Sequence, residues 1–89
     1  MPDTASRLAI LQIHMRDKPL AKRVGLQAMA AATEGRSGAD LAAMCNKAAL
    51  IAIREHLETA EGKARSYEGF IIDKKHIEQA QRIIQQQRA

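Results

Sequence analysis

Ser37 and Asp40 stand three residues apart at the start of the strongest helix signal in the chain, with only Gly38 and Ala39 between them. A serine hydroxyl at that place accepts a hydrogen bond from a first-turn N–H group, and an acid three residues on reaches back to the serine amide. The acid also suits the positive end of the helix dipole. Gly38 and Ala39 carry almost no side chain, so the backbone at this terminus is open to close approach. Either another part of the protein packs there, or a flat or anionic ligand does. On spacing alone, tight helix packing is the simpler account of the pair.

The other reactive side chains do not form a set. His14, His56, His76 and the single Cys45 fall on different expected elements and lack metal-ligand spacing. The three histidines therefore read as ordinary surface or boundary residues. Cys45 sits in the middle of an apolar stripe, which marks a buried structural thiol rather than a nucleophile. There is no G-x-x-x-x-G-K-[ST] phosphate loop, no apolar run ending in paired acids to hold magnesium, and no strand–turn–helix elbow around a serine. Taken by itself, the chain is not expected to be an enzyme.

Helical periodicity supplies the elements that must carry these residues. A first helix is expected from Thr4 to Arg16, capped by Asp3 or Thr4 and ended by Asp17-Lys18-Pro19. Leu8, Leu11 and Met15 share its core face, while Ile10, Ile13 and His14 make a second, partly apolar patch. After a connector, a short second helix is expected from Leu26 to Thr33, with Leu26, Met29 and Ala30 inward and Gly35 in the turn that follows. The third helix is expected from Gly38 to Leu57. Leu41, Met44, Cys45, Ala48 and Ala52 form one face of it, with Ile51 at the edge. Ala43, Leu50 and Leu57 form a second stripe roughly opposite, and Asp40, Lys47 and Arg54 form a polar seam between the two. A helix apolar on two sides is normally packed on two sides. Glu58 to Ser66 reads as a loop or a frayed helix end and Tyr67 to Ile72 as a short extended plug, with Phe70 and either Ile71 or Ile72 inward. Asp73 caps a fourth helix carrying Ile77, Ala80, Ile83 and Ile84, and a polar tail from Gln85 to Ala89 closes the chain.

The totals agree with one small all-α domain, a four-helix bundle. The chain has 89 residues, 46% of them hydrophobic, with Tyr67 and Phe70 the only aromatics. A net charge of +4 permits an acidic partner. The basic residues are dispersed, however, and two aromatics are too few for a base-stacking platform, so nucleic acid is not the expected partner. One cysteine excludes an internal disulfide and fits a reducing, cytoplasmic compartment. No stretch is long and apolar enough to cross a membrane.

The segment T-E-G-R-S-G-A-D-L-A-A-M-C-N-K-A-A-L-I-A-I-R-E, residues 33–55, resembles the C-terminal helical lid of AAA ATPases in the narrow AAA clade. Pro2-Asp3, then Arg7-Leu8-x-Ile10-Leu11-x-Ile13-His14, then Pro19-Leu20, is similar to the first lid helix of the same family. The likeness spans nearly the whole chain, residues 1–89, and is weakest from Leu57 to Phe70. It is most like the valosin-containing-protein type, a cell-division-cycle unfoldase of archaea and eukaryotes. Proteasome-activating ATPases and AAA proteases share much of the pattern.

The resemblance implies a lid over the adenine and ribose of ATP or ADP, following a large domain that holds the magnesium. It also implies a hexamer, with neighbouring subunits, the upstream large domain and protein substrates as partners. Carried over position by position, Gly38 and Ala39 lie against the adenine and ribose, His14 lies near them, and Ile10 forms an apolar wall for the base. Wider AAA+ proteins place a phosphate-sensing arginine near the start of this helix; the narrow clade has alanine, and Ala39 agrees. Arg36 departs from the bulky or aromatic residue often found after the glycine. The second stripe on the third helix becomes a candidate interface with the large domain or a neighbouring subunit. A free-standing helical module for protein or nucleic acid is the alternative of another class.

Overall fold

A computed structural model describes residues 1–59 and 69–87. It contains four helices: α1 (Thr4–Met15), α2 (Leu26–Ala32), α3 (Gly38–Thr59) and α4 (Lys74–Gln87). Among the described residues the only extended pairing is a single parallel bridge between Leu20 and Ile72. The expected all-α bundle is therefore observed.

The longest helix, α3, is the hub. It packs against α4 on one side and α1 on the other, and α2 joins through α1. Its inward face is the expected one: Leu41, Met44, Cys45, Ala48 and Ala52 are all buried. Three of these five are alanine or cysteine, so neighbouring helices can approach closely. Leu11 and Met15 fill the core from α1, Met29 and Ala30 from α2, and Ile77, Ala80 and Ile84 from α4.

The segment before α4 inserts Ile72, which is fully buried, and leaves Ile71 56% exposed. Sequence allowed either. The choice follows from backbone pairing with the connector: Ile72 N–H donates to the Pro19 carbonyl at 2.8 Å, and Ala21 N–H donates to the Ile72 carbonyl at 2.9 Å. That pairing fixes which neighbour points inward.

α3 continues through Glu58 and Thr59, the helix-end alternative for that stretch, and α4 takes in Gln85 to Gln87, which were expected in the tail. Glutamate and glutamine are good helix formers, and neither stretch contains glycine or proline to stop the helix. The rest of the stretch read as a loop or frayed helix end, 60–66, together with residues 67–68 and the last two residues, lies outside the described residues.

Two polar residues read as surface groups are buried. Arg7 retains only 4% exposure and lies in line with Leu11 and Met15 on the inner face of α1. Its Nε donates to the Ala30 carbonyl at 2.9 Å, one terminal nitrogen to the Pro2 carbonyl at 2.9 Å, and the other to Thr4 Oγ1 at 3.1 Å. Ala30 is in the last turn of α2, where carbonyls lack intrahelical partners, so the guanidinium ties α1 to the end of α2. Thr33, also buried, donates its hydroxyl to the Met29 and Ala30 carbonyls. His76 is the second correction, with 3% exposure. Its Nδ1 accepts from Asp73 N–H at 2.9 Å, and Nε2 faces Glu55 Oε2 at 3.3 Å. With Nδ1 accepting, the neutral ring carries its proton on Nε2 and donates it to the carboxylate on α3.

Asp73 caps α4, its Oδ1 accepting from Lys74 N–H at 2.7 Å. The Arg23 guanidinium grips the same carboxyl from the connector, 50 positions away, and this bond, ahead of the Lys74 amide, holds the carboxyl down at about 2.

Two outcomes are expected. Arg7→Met keeps the volume but removes three hydrogen bonds, while the Ala30 carbonyl keeps Thr33; the loss is about 2 kcal/mol in urea denaturation. Because the Asp73 carboxyl is depressed below its ordinary 3.8, its contribution is present above about pH 4 and is lost as pH falls through about 2. Denaturation of the protein and of Arg23→Gln across pH 2–6 therefore gives a stability gap that narrows toward acid.

Candidate functional site

The start of α3 is built by local chemistry. Gly35 adopts a left-handed backbone, φ +83°, which lets the chain reverse after α2 without the strain a side chain would add. Ser37 and Asp40 then form the expected reciprocal cap: Asp40 N–H donates to Ser37 Oγ at 3.1 Å, and Ser37 N–H donates to Asp40 Oδ2 at 3.0 Å. The first helical bond runs from Leu41 N–H to the Ser37 carbonyl. The N–H groups of Gly38 and Ala39 precede it, so they have no partner within the helix.

Beside this terminus lies α1. A Cβ on Gly38 would sit 3.7 Å from Ile10 Cδ1, an ordinary contact distance, and no other atom is nearer. Ile10 and Gly38, which are 28 positions apart, thus meet across the α1–α3 contact. The observation also bears on the packing account of the glycine. Alanine fits at 38 without a clash and without positive φ, so packing within the chain does not require glycine there. Ala39 is exposed, so packing does not occupy it either.

His14 follows Ile10 by one turn of α1 and is half-buried. Its ring makes no hydrogen bond among the described residues. Its carbonyl, at the end of α1, accepts the Lys18 ammonium at 2.5 Å, a cation satisfying a helix C-terminus. The structure therefore brings Ile10 and Gly38 into contact range, leaves Ala39 open beside them and sets His14 next along the same helix.

The face so formed combines an isoleucine methyl, two small residues, free backbone donors and one imidazole. It suits a flat, weakly polar ring approached edge-on, and it offers no nucleophile. Cys45 is fully buried and burial pushes its thiol up to about 11, which leaves it protonated and unreactive at neutral pH, the structural role expected of it. Among the described residues no three histidine, cysteine or acidic side chains come together to hold a metal ion.

A protein-family profile described as "AAA+ lid domain" matches residues 24–70, more than half of the chain. The chain belongs to the AAA+ lid domain family. Over 82 residues the lid is 43% identical to a cell division cycle protein 48 homolog of Archaeoglobus fulgidus, covering 89% of this chain and 11% of that protein. Over 59 residues it is 51% identical to the ATP-dependent zinc metalloprotease FtsH 2 of Sphaerobacter thermophilus, covering 66% of this chain and 9% of that protein. It is likewise 51% identical over 55 residues to a proteasome-activating nucleotidase of Methanopyrus kandleri, covering 62% of this chain and 13% of that protein. The lid thus spans about a tenth of the length of the curated relatives it matches. No helix among the described residues is long and apolar enough to cross a membrane.

Residues that sequence reading missed are the ones that hold this face in place. Arg7 fixes α1 against α2, and Thr33 closes the end of α2 just before the turn. Arg7 had a signal, since it continues the i, i+4 line of Leu11 and Met15, but an arginine on a core line is normally read as surface.

Removing either half of the cap tests the local account. Ser37→Ala and Asp40→Ala each cost about 1 kcal/mol. The double variant costs less than the sum, because the two bonds support one another. Urea denaturation of the four proteins measures both quantities.

Proposed function

We propose that residues 1–89 form the lid of a AAA ATPase, covering the adenine and ribose of ATP or ADP bound to an upstream large domain. The observation that carries this reading is the open backbone at Gly38 and Ala39 with the Ile10 methyl beside it, in a chain of the AAA+ lid domain family. Ile10 supplies apolar contact for the base and Gly38 and Ala39 give access to the backbone. His14 stands one turn on, with a ring nitrogen available for a ribose hydroxyl. These groups fit the apolar, flat end of a nucleotide. The triphosphate and its magnesium, which supply the hydrolytic chemistry, are assigned to the missing large domain, so the lid alone is not an enzyme and its parent is an ATPase.

In the parent, the lid turns as a unit about the connection to the large domain and carries nucleotide state to contacts between the subunits of a hexameric protein unfoldase. Its compact core supports rigid-body motion: α3 holds the other helices, and Arg7 and His76 lock the elements that a bending domain would have to release. Relatives of three named kinds match this chain, so a lid of a proteasome-activating ATPase or a AAA protease fits the same geometry. A nucleic-acid module loses support, because Arg7 is buried and Arg23 and Lys75 are engaged with Asp73 and Glu55.

Two measurements test the reading. Titration of the 89-residue lid with ATP, followed by amide chemical shifts, gives at most millimolar binding; micromolar binding overturns the assignment of the phosphate site to another domain. In the intact protein, Ala39→Leu weakens nucleotide binding at least tenfold. Gly38→Ala weakens it too, while leaving the lid as stable as before or slightly more so, since alanine is the better helix former. Unchanged affinity in both variants overturns the site.

A further inference from the structure

We propose that the cavity between α2 and α4 binds a small aliphatic monocarboxylate of about six carbons, with the chain inside and the carboxylate at the mouth. The cavity measures about 140 Å³. An apolar cavity of about 150 Å³ in a protein core takes up benzene, so a six-carbon body fits this one. The space exists because α2 faces it with small side chains: Ala28 and Ala32, four positions apart, line it. Met29, Met44 and Ile77 also line it, and all three are buried. Methionine is unbranched and soft, so two of these three can adjust to the outline of a chain. The uncharged polar residues of the wall are already satisfied. Gln81 Nε2 donates to the Ala32 carbonyl, and the Thr33 hydroxyl donates to the Met29 and Ala30 carbonyls. An aliphatic chain entering the cavity therefore displaces no hydrogen bond of the protein.

Charge at the mouth selects the head group. Among the described residues, the charged ones that line the cavity are Arg23 and Lys74, both cations, and no acid lines it. Both are exposed, in contrast to the buried methionines, so their charges stand on the solvent side. Asp73 is bonded to both residues, but its carboxyl is already taken. Oδ1 accepts from Arg23 Nε and from the Lys74 backbone N–H, and Oδ2 accepts from Arg23 Nη2. That grip leaves Arg23 Nη1 without a bond among the described residues, and it holds the guanidinium in place. The Lys74 ammonium makes no ion pair among the described residues, and neither does Glu78, one turn along α4 and outside the lining. A carboxylate at the mouth meets two cationic donors, whereas an amine there meets two like charges. The cavity shares no residue with the nucleotide face, so the inference does not rest on that reading.

The test uses the 89-residue chain with isotope-labelled methionine methyl groups, titrated with sodium hexanoate at constant ionic strength. Hexanoate is expected to shift the Met29 and Met44 methyl signals saturably, with a Kd below millimolar. Hexanol and hexylamine, with the same chain and another head group, bind about tenfold more weakly or not at all. Lys74→Glu weakens hexanoate about tenfold, and Ala28→Leu, which fills the cavity, removes the shifts. Both positions are exposed. Glutamate suits the first turn of α4 and leucine is a good helix former, so both variants keep the melting temperature of the parent. Shifts that do not saturate, equal binding of hexanol or hexylamine, or full affinity in both variants overturns the proposal.

Discussion

One face of α3 holds the domain together. Leu41, Met44, Cys45, Ala48 and Ala52 are buried along it, and the other helices are fastened to it directly or through α1. The small side chains at 45, 48 and 52 set how near those helices come, and the surrounding leucines, isoleucines and methionines close over them. Bulk at any of these positions would push α1 and α4 apart together, because close-packed interiors transmit strain rather than absorb it.

Hydrophobic burial of this kind is not directional, and polar contacts supply the direction. α3 begins with a serine–aspartate exchange of hydrogen bonds, and at the start of α4 the Asp73 N–H donates to His76 Nδ1 while the Asp73 carboxyl accepts from the Lys74 amide. In the second case the residue three positions into the helix is a histidine, whose other nitrogen is then committed to Glu55. A helix cap thereby becomes a tie between two helices. Arg7 does the same for α1 and α2. Each tie uses a side chain that also pairs a backbone group near a helix end, the Ala30 carbonyl for Arg7 and the Asp73 N–H for His76, so the termini cost little and the packing is specified.

The core uses only one side of α3. The outer side carries exposed leucines, and its first turn carries backbone donors beside Ile10. These two surfaces sit at different places on one helix of 22 residues. On the proposed reading, that helix is the element through which a nucleotide contact at its first turn would be coupled to contacts along its outer side.

Most of the helices were legible in the amino-acid sequence, because they depend on neighbours within four positions. The buried line of α3, the cap at Ser37 and Asp40, the turn at Gly35 and the inward residues of α4 are all of this kind. The family was legible for a related reason: its motifs are the capped turn and the helices on either side of it. What only the tertiary structure decided are the pairings between distant positions. Ile72 rather than Ile71 enters the core because the connector pairs with its backbone. Arg7 reaches across 23 positions and His76 across 21, and both pass from surface to interior as a result. Ile10 arrives beside Gly38 only because α1 crosses α3 at that turn. Periodicity says which side of a helix is apolar. It does not say which atoms of another element will lie there, since that follows from the angles and distances at which whole helices pack.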